Sequence, residues 1–236
     1  MIDGKRIVAV IPARAGSKAV KDKNVHPLGS RPLIRWTIDL ARGMAEIDRV
    51  IVSTDGARIA EVAREGGAEV YDRPPSLATD TALVADTLRN LINRLRIEGE
   101  TAEYMILLEP TSPFRAVDDV RACIERLARE PLDSVATFTD AALTPEKAWR
   151  LDGSTPRPFI EGADPWRPRQ HTAEAYQLSG AVYAFSIDLL PPSGAAVLFG
   201  RRGAVVMPRE RCLDINDMHD FALAEAMLEV RHAVHS

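Results

Sequence analysis

The chain has only two cysteines, Cys123 and Cys212, in 236 residues. That excludes a disulfide framework or a thiolate zinc cluster and makes a reducing cytoplasm the expected location. No apolar run approaches the roughly 18 residues needed to cross a bilayer, so no membrane partner is expected. Lys5 and Arg6 precede only a short apolar stretch before Arg14, so no secretory leader is expected. Excess positive charge is missing too. A formal net charge of −4 and a pI near 5.8 argue against a general nucleic-acid binder. The histidines His26, His171, His219, His232 and His235 show no metal-ligand spacing. Neither GxxxxGK[ST] nor a GxGxxG after the first strand is present, which weighs against P-loop ATPases and dinucleotide-dependent dehydrogenases.

What is present is an alternation of short apolar runs and amphipathic segments. Residues 6–13 (RIVAVIPA) read as a buried strand and residues 32–44 as a helix with Pro32 in its first turn. Strands follow at 49–53, 68–71, 103–108 and 133–138, separated by helices at 57–65, 80–96 and 117–129. Strands resume at 178–185 and 203–207, and a helix at 217–232 closes the chain. Between residues 140 and 176 the pattern breaks, and Pro145, Pro156, Pro158, Pro165 and Pro168 exclude a long regular element there. The expectation is one α/β domain over residues 1–236, a mainly parallel sheet covered on both faces, with 140–176 as a lid or interface arm. Ligands of such sheets sit at the carboxyl ends of the strands. The polar clusters 14–24, 53–55 and 109–113 should therefore share one rim.

The first of these clusters holds Arg14, Lys18, Lys21 and Lys23 beside Gly16 and Ser17. Gly16 permits a tight turn that presents backbone N–H groups to an anion. Arginine offers a planar fork for phosphate oxygens, and lysines act as point charges. A solvated basic loop is the alternative, but its place directly after a buried strand favours phosphate binding.

Ile11-Pro-Ala-Arg-Ala-Gly-Ser-Lys18 with Lys23-Asn24 resembles the N-terminal signature of the acylneuraminate cytidylyltransferases, the CMP-sialic acid synthetases. The resemblance continues through Ile51-Val-Ser-Thr-Asp55, Arg73-Pro-Pro-Ser-Leu-Ala-Thr-Asp-Thr81 and Leu107-Leu-Glu-Pro-Thr-Ser-Pro113. It ends with Pro168-Arg-Gln170, Gly180-Ala-Val-Tyr183 and Asp214-Ile-Asn216. It implies a three-layer nucleotide-diphospho-sugar transferase fold of the GT-A, Rossmann-like kind, and a homodimer held by the arm. It also implies CTP and an acidic nine-carbon sugar as substrates, with Mg²⁺. The anomeric hydroxyl of the sugar would attack the α-phosphate and pyrophosphate would leave.

Residue by residue, the resemblance gives Arg14 and Lys23 to the CTP phosphates, with Gly16, Ser17 and Lys18 beside them. Asn24 would contact the nucleotide, and Thr79, Asp80 and Thr81 the cytosine and ribose. Thr79 reads equally as a helix N-cap. Glu109, Thr111, Ser112, Lys147, Arg169, Gln177, Tyr183 and Phe199 would form the sugar half, although Tyr183 and Phe199 read equally as core. Asp214 would bind Mg²⁺, assisted by Asn216, where the family often has a second Asp. Asp217 reads as a further ligand or as a helix cap. Arg14, Lys23 and Asp214 would carry catalysis. Glu109 stands where sialic-acid members commonly have Gln, which hints at a relative such as a legionaminic or pseudaminic acid. Two alternatives stay open: the neighbouring enzyme for 3-deoxy-octulosonic acid, and a nucleotide-binding module without catalysis.

Overall fold

Strand β1 (Ile7–Pro12) is buried at every position, and its side chains alternate between two separate cores. Ile7, Ala9 and Ile11 face one core; Val8 and Val10 face the other. A strand covered on both faces must be apolar throughout, which is why it carries no polar alternation. A computed structural model describes residues 1–235, with the side chains of Arg169, His232, Val234 and His235 outside the described set.

After β1 come the two-residue strands β2 (Pro27–Leu28) and β3 (Arg31–Pro32), then helix α1 (Leu33–Arg42). Strand β4 (Arg49–Thr54), helix α2 (Ala57–Glu65) and strand β5 (Glu69–Asp72) follow, then helix α3 (Val84–Ile97) and strand β6 (Tyr104–Leu108). Helix α4 (Val117–Arg129) leads to strand β7 (Ser134–Asp140). Strands β8 (Trp149–Asp152) and β9 (Thr155–Pro158) form a separate hairpin. Strand β10 (Tyr176–Ser186), strand β11 (Arg202–Val206) and helix α5 (Met218–His235) complete the chain.

The main sheet has the order β11-β7-β10-β6-β1-β4-β5. Pairing is parallel at β5–β4, β4–β1, β1–β6 and β7–β11, and β10 runs antiparallel between β6 and β7. Helices α1, α2 and α4 pack on one face and α3 on the other, a three-layer α/β arrangement. The chain moves from β1 through β4 to β5, then crosses over α3 to β6 on the opposite side of β1. The strand order reverses between β1 and β6, and the crevice there is where such sheets take ligands. Helix α5 sets Phe221, Ala224 and Leu228 against Leu28, Leu33 and Phe114 in a third core.

Three local expectations need correction. The predicted helix at 80–96 begins only at Val84, with Leu83 as its cap residue and no side-chain cap bond. Thr79 therefore caps nothing; it sits in a turn whose carbonyl accepts the Ala82 N–H. Pro32 ends β3 rather than opening the helix, because its extended backbone continues the pairing with Pro27. The strand expected at 178–185 is longer but interrupted: its register with β7 shifts between Leu178 and Tyr183. Gly180, at φ +75°, supplies the left-handed backbone that a bulge requires.

The excursion leaves from Asp140 at the carboxyl end of β7 and returns at Tyr176, its partner at the start of β10. Because β10 is antiparallel, both ends of the arm meet the rim on which the ligand crevice opens. The β8–β9 hairpin within it escaped the sequence reading, since Pro156 and Pro158 stand in a strand. A two-stranded ribbon has free edges on which proline is tolerated.

Candidate active site

Three strand ends converge on a cleft of about 280 Å³, lined by Pro12 and Arg14 after β1, Arg73 after β5, and Glu109 to Thr111 after β6. Lys23, Asn24, Thr79 and Asp80 complete its walls. The basic loop is held open by its neighbours. Asp55, at the end of β4, accepts the Ala15 N–H at 2.9 Å, and Asn24 Nδ2 donates to the Arg14 carbonyl at 3.1 Å. The Asn24 Oδ1 is buried without a partner, an acceptor left for a donor that enters the cleft. Gly16 has no positive φ, and a Cβ there would meet nothing within 4 Å. Its turn is closed by a Ser17 N–H to Ala15 carbonyl bond at 2.9 Å. Glycine here neither relieves backbone strain nor avoids a clash with the chain's own atoms.

Four cations are drawn to this cleft, and their partners differ. Arg14 Nη1 and Lys18 Nζ share one carboxylate, reaching Asp80 Oδ1 at 2.7 Å and Oδ2 at 2.5 Å. Those two bonds hold the Asp80 carboxyl below the usual carboxylate range. Lys23 Nζ donates to the Ile215 carbonyl at 3.0 Å. Burial lowers the Lys23 pKa, while Asp214 and Glu109 pull the other way. Arg73 is 8% exposed and donates through Nη2 to the Ser53 carbonyl at 2.7 Å. Burial lowers its pKa as well, against the nearby Asp55 and Glu109.

Glu109 is mostly buried between these charges. Burial pushes its carboxyl up to about 7, with Asp214 adding to the effect; Arg115, Arg73 and Lys23 oppose it. The Thr111 carbonyl accepts the Ile215 N–H at 2.8 Å, which stitches the 213–216 segment to the end of β6. That stitch brings Asp214 to the rim. Asn216 Nδ2 donates to Asp214 Oδ2 at 3.0 Å, so the two side chains face each other. Asp217 is a helix cap: its Oδ1 accepts the His219 and Asp220 N–H groups, and Asp220 Oδ2 returns the contact to the Asp217 N–H. Among the described residues no group of three His, Cys, Asp or Glu side chains could hold a metal ion.

The expected sugar half is less united. Thr111 lines the cleft, whereas Ser112 is fully buried with its hydroxyl unpartnered. Tyr183 is half-buried, its pKa raised by burial and then by Glu109 and Asp214, so it stands beside the cleft. Phe199 does not line the cleft. It is buried against Phe185 at 5.8 Å, and its N–H donates to Ser134 Oγ, at the start of β7 and away from the rim. Gln177 turns to the arm, accepting the Ala142 N–H at 3.1 Å. Lys147 sits in a short turn of the arm beside Leu143 and Thr144, outside the cleft. Arg169 opens a similar turn, Arg169–His171, and its side chain lies outside the described set.

Three residues of this centre had no individual role in the sequence reading: Asp55, which it set only within the 53–55 rim cluster, Arg73, which it quoted only within a motif, and Arg115. Arg73 and Asp55 each follow a strand end, the position that marks ligand contacts in this architecture. Arg115 carried no such signal, because only folding places it beneath Glu109.

Residues 8–153 match the sequence profile of the family described as Cytidylyltransferase. The chain belongs to the cytidylyltransferase family. A CMP-N,N'-diacetyllegionaminic acid synthase of Legionella pneumophila is 31% identical over 95% of this chain and 97% of its own length. An N-acylneuraminate cytidylyltransferase of Streptococcus agalactiae serotype V is 30% identical over 91% of the chain, which spans only 51% of that longer protein. A pseudaminic acid cytidylyltransferase of Campylobacter jejuni is 24% identical over 95% of the chain. Among solved structures, a CMP:2-keto-3-deoxy-manno-octonic acid synthetase complexed with CTP superposes with a TM-score of 0.67 at 18% identity, covering 96% of this chain and 99% of that one. A 4-diphosphocytidyl-2C-methyl-D-erythritol synthase reaches 0.71 at 15% identity, covering 95% and 99%. These two likenesses confirm the nucleotidyltransferase fold of this family member.

Proposed function

We propose that this cytidylyltransferase transfers CMP from CTP to the anomeric hydroxyl of a nonulosonic acid, a nine-carbon acidic sugar of the sialic, legionaminic or pseudaminic type. The observation that carries the reading is the convergence of Arg14, Lys23, Asn24 and Arg73 with Glu109 on one cleft at the reversal of strand order. The names of the similar proteins support the sugar class.

In this reading Arg14, Lys18 and Lys23 hold the triphosphate, and Gly16 and Ser17 bring backbone close to it. Asn24, Arg73, Thr79 and Thr81 surround the nucleoside, and Asp80 holds Arg14 and Lys18 until the phosphates displace it. The sugar oxygen bonds to the α-phosphorus as the bond to the leaving pyrophosphate breaks. Charge-assisted hydrogen bonds contribute about 1.5–3 kcal/mol each, so cations placed where charge builds up carry much of the work. Glu109 accepts hydrogen bonds from sugar hydroxyl or N-acyl N–H groups; its negative charge keeps the sugar carboxylate away from that side.

Asp214 and Asn216 are the proposed Mg²⁺ ligands. The donor set fits: one exposed carboxylate, its Oδ1 in no hydrogen bond among the described residues, beside an amide. Mg²⁺ takes one or two carboxylates and completes its shell with water and phosphate. When bound, it supplies neutralisation of phosphate charge and a lower pKa for the attacking hydroxyl.

The arm is proposed as the contact of a homodimer. Trp149, Leu151, Phe159, Ile160 and Trp166 are all exposed on it, at 43%, 71%, 67%, 42% and 83%. Trp149 and Trp166 pack edge to face, and large apolar side chains left exposed on one short arm support an interaction surface there. Lys147, Arg169 and Gln177, which lie on the arm or at its base, would then complete the sugar site from the partner. Both cysteines are free, which supports a cytoplasmic location.

The test is pyrophosphate release from CTP and Mg²⁺ with sialic, legionaminic, pseudaminic and 3-deoxy-octulosonic acids. Turnover of a nine-carbon acid is expected. Release with none of them removes the proposal, and release confined to the eight-carbon sugar transfers it to the neighbouring enzyme. Asp214→Ala is expected to abolish turnover at ordinary Mg²⁺; full activity would remove the metal assignment.

A further inference from the structure

Arg115 is 4% exposed, beneath the loop that carries Glu109, Thr111 and Ser112. Its Nη2 donates to the Glu109 carbonyl and its Nη1 to Thr37 Oγ1 at 2.8 Å. Its Nε is buried with no partner. The buried carboxylate on the following helix, Asp119, is engaged elsewhere: Oδ2 accepts the Ala116 N–H, and Oδ1 accepts from Arg211 Nη2 at 2.8 Å. Among the described residues no carboxylate forms an ion pair with the Arg115 guanidinium.

A buried charge without an ion pair is costly. The shape of the loop does not require it. Pro110 and Pro113 already restrict the backbone, and a neutral side chain could donate to the Glu109 carbonyl. What no neutral donor supplies is positive charge behind the Glu109 carboxyl. The other groups close enough to interact electrostatically with that carboxyl are Asp214, Arg73, Lys23 and Tyr183. Burial raises the Glu109 pKa, and Arg115 opposes that rise more than any other neighbour.

We infer that Arg115 is a positioning residue for the CMP-transfer site: its guanidinium fixes the 109–112 loop from beneath and supplies the charge that faces the Glu109 carboxylate. Only the catalytic consequence rests on the proposed function; the effect on Glu109 does not. Arg115→Gln keeps a donor for the Glu109 carbonyl and removes the charge. Arg115→Lys keeps the charge and removes the planar fork.

The experiment follows the Glu109 carboxyl by carbon NMR in the full chain labelled at glutamate, with Glu109→Gln to assign the signal. In Arg115→Gln the midpoint is expected to rise by about one pH unit, as expected for the loss of one nearby charge at intermediate dielectric. In Arg115→Lys it is expected to stay near the wild-type value. An unmoved midpoint in Arg115→Gln overturns the inference. If that variant does not fold, a midpoint in Arg115→Lys displaced by a full pH unit overturns it equally. In the turnover assay, Arg115→Gln is expected to lower kcat at least tenfold with the KM for CTP within about twofold, and to move the acid limb of the pH profile upward. A lower kcat with an unmoved acid limb overturns the charge role. A wild type inactive on every sugar defeats the proposed function alone, and the NMR midpoint still decides Arg115.

Discussion

Glu100 offers a severe test of how the sheet is held at the end remote from the cleft. Its Oε2 accepts from Arg49 Nη1 at 2.7 Å, and its Oε1 accepts from Arg6 Nε at 3.1 Å. Oε1 also accepts the Thr101 and Ala102 N–H groups at 2.9 and 3.1 Å. The side chain is 7% exposed, so solvent screens these contacts little. Burial alone would raise the Glu100 pKa, but the bonds from Arg49 and Arg6 and the Thr101 N–H overcome it and hold the carboxyl at about 2, against 4.5 ordinarily. The difference corresponds to about 3 kcal/mol as an upper figure. Glu100→Gln should therefore destabilise the fold by about 2–3 kcal/mol at pH 7, lowering Tm by about 5–10 °C for a chain of this size. The folded pKa is depressed, so the contribution is complete above about 4.5 and is lost as pH falls towards 2. Urea denaturation of wild type and variant should show a gap that is constant from pH 7 to 5 and has fallen to about half or less by pH 3. A gap that does not change with pH, or one below about 0.5 kcal/mol, would falsify the assignment. CTP affinity should be unaffected, since Arg6 and Arg49 stand at the amino ends of β1 and β4, opposite the cleft.

Glu109→Gln should raise Tm at pH 8 and leave it unchanged near pH 4. A carboxyl raised to about 7 in the folded protein costs stability only where the unfolded chain ionises it more readily. An equal Tm change at both pH values would reject that ionisation. Asp80→Asn should tighten CTP binding severalfold by calorimetry, because Asp80 and the phosphates compete for Arg14 and Lys18; weaker binding would make Asp80 a nucleotide ligand instead. Arg73→Met should weaken CTP binding by about tenfold to a hundredfold, the loss of one charge-assisted contact. Unaltered affinity would remove Arg73 from the nucleotide site. Paired changes Phe159→Ser and Trp166→Ser should shift the sedimentation of the proposed dimer towards the monomer, and an unchanged coefficient would clear the arm of that role.

The elements that the sequence determined are those whose cause is local. β1 and β6 are apolar throughout because both faces of the sheet are covered, and that shows as continuous runs at 7–13 and 104–108. α2 ends at Glu65 where Gly66 and Gly67 stop it, and α4 spans 117–129 as its periodicity predicts. The phosphate loop was legible for the same reason: its cations are neighbours in the chain. Tertiary structure decided what depends on contacts distant in sequence. Asp214 reaches the rim through Ile215, which is bonded to both Thr111 and Lys23, and Arg115 joins the site through its bonds to the Glu109 carbonyl and to Thr37 of α1. Phe199 left the predicted sugar pocket because the hydroxyl of Ser134 fixes its backbone at the far end of β7. Aromatic residues carry no local mark that separates a pocket wall from a core; the side of the sheet and the end of the strand make that choice.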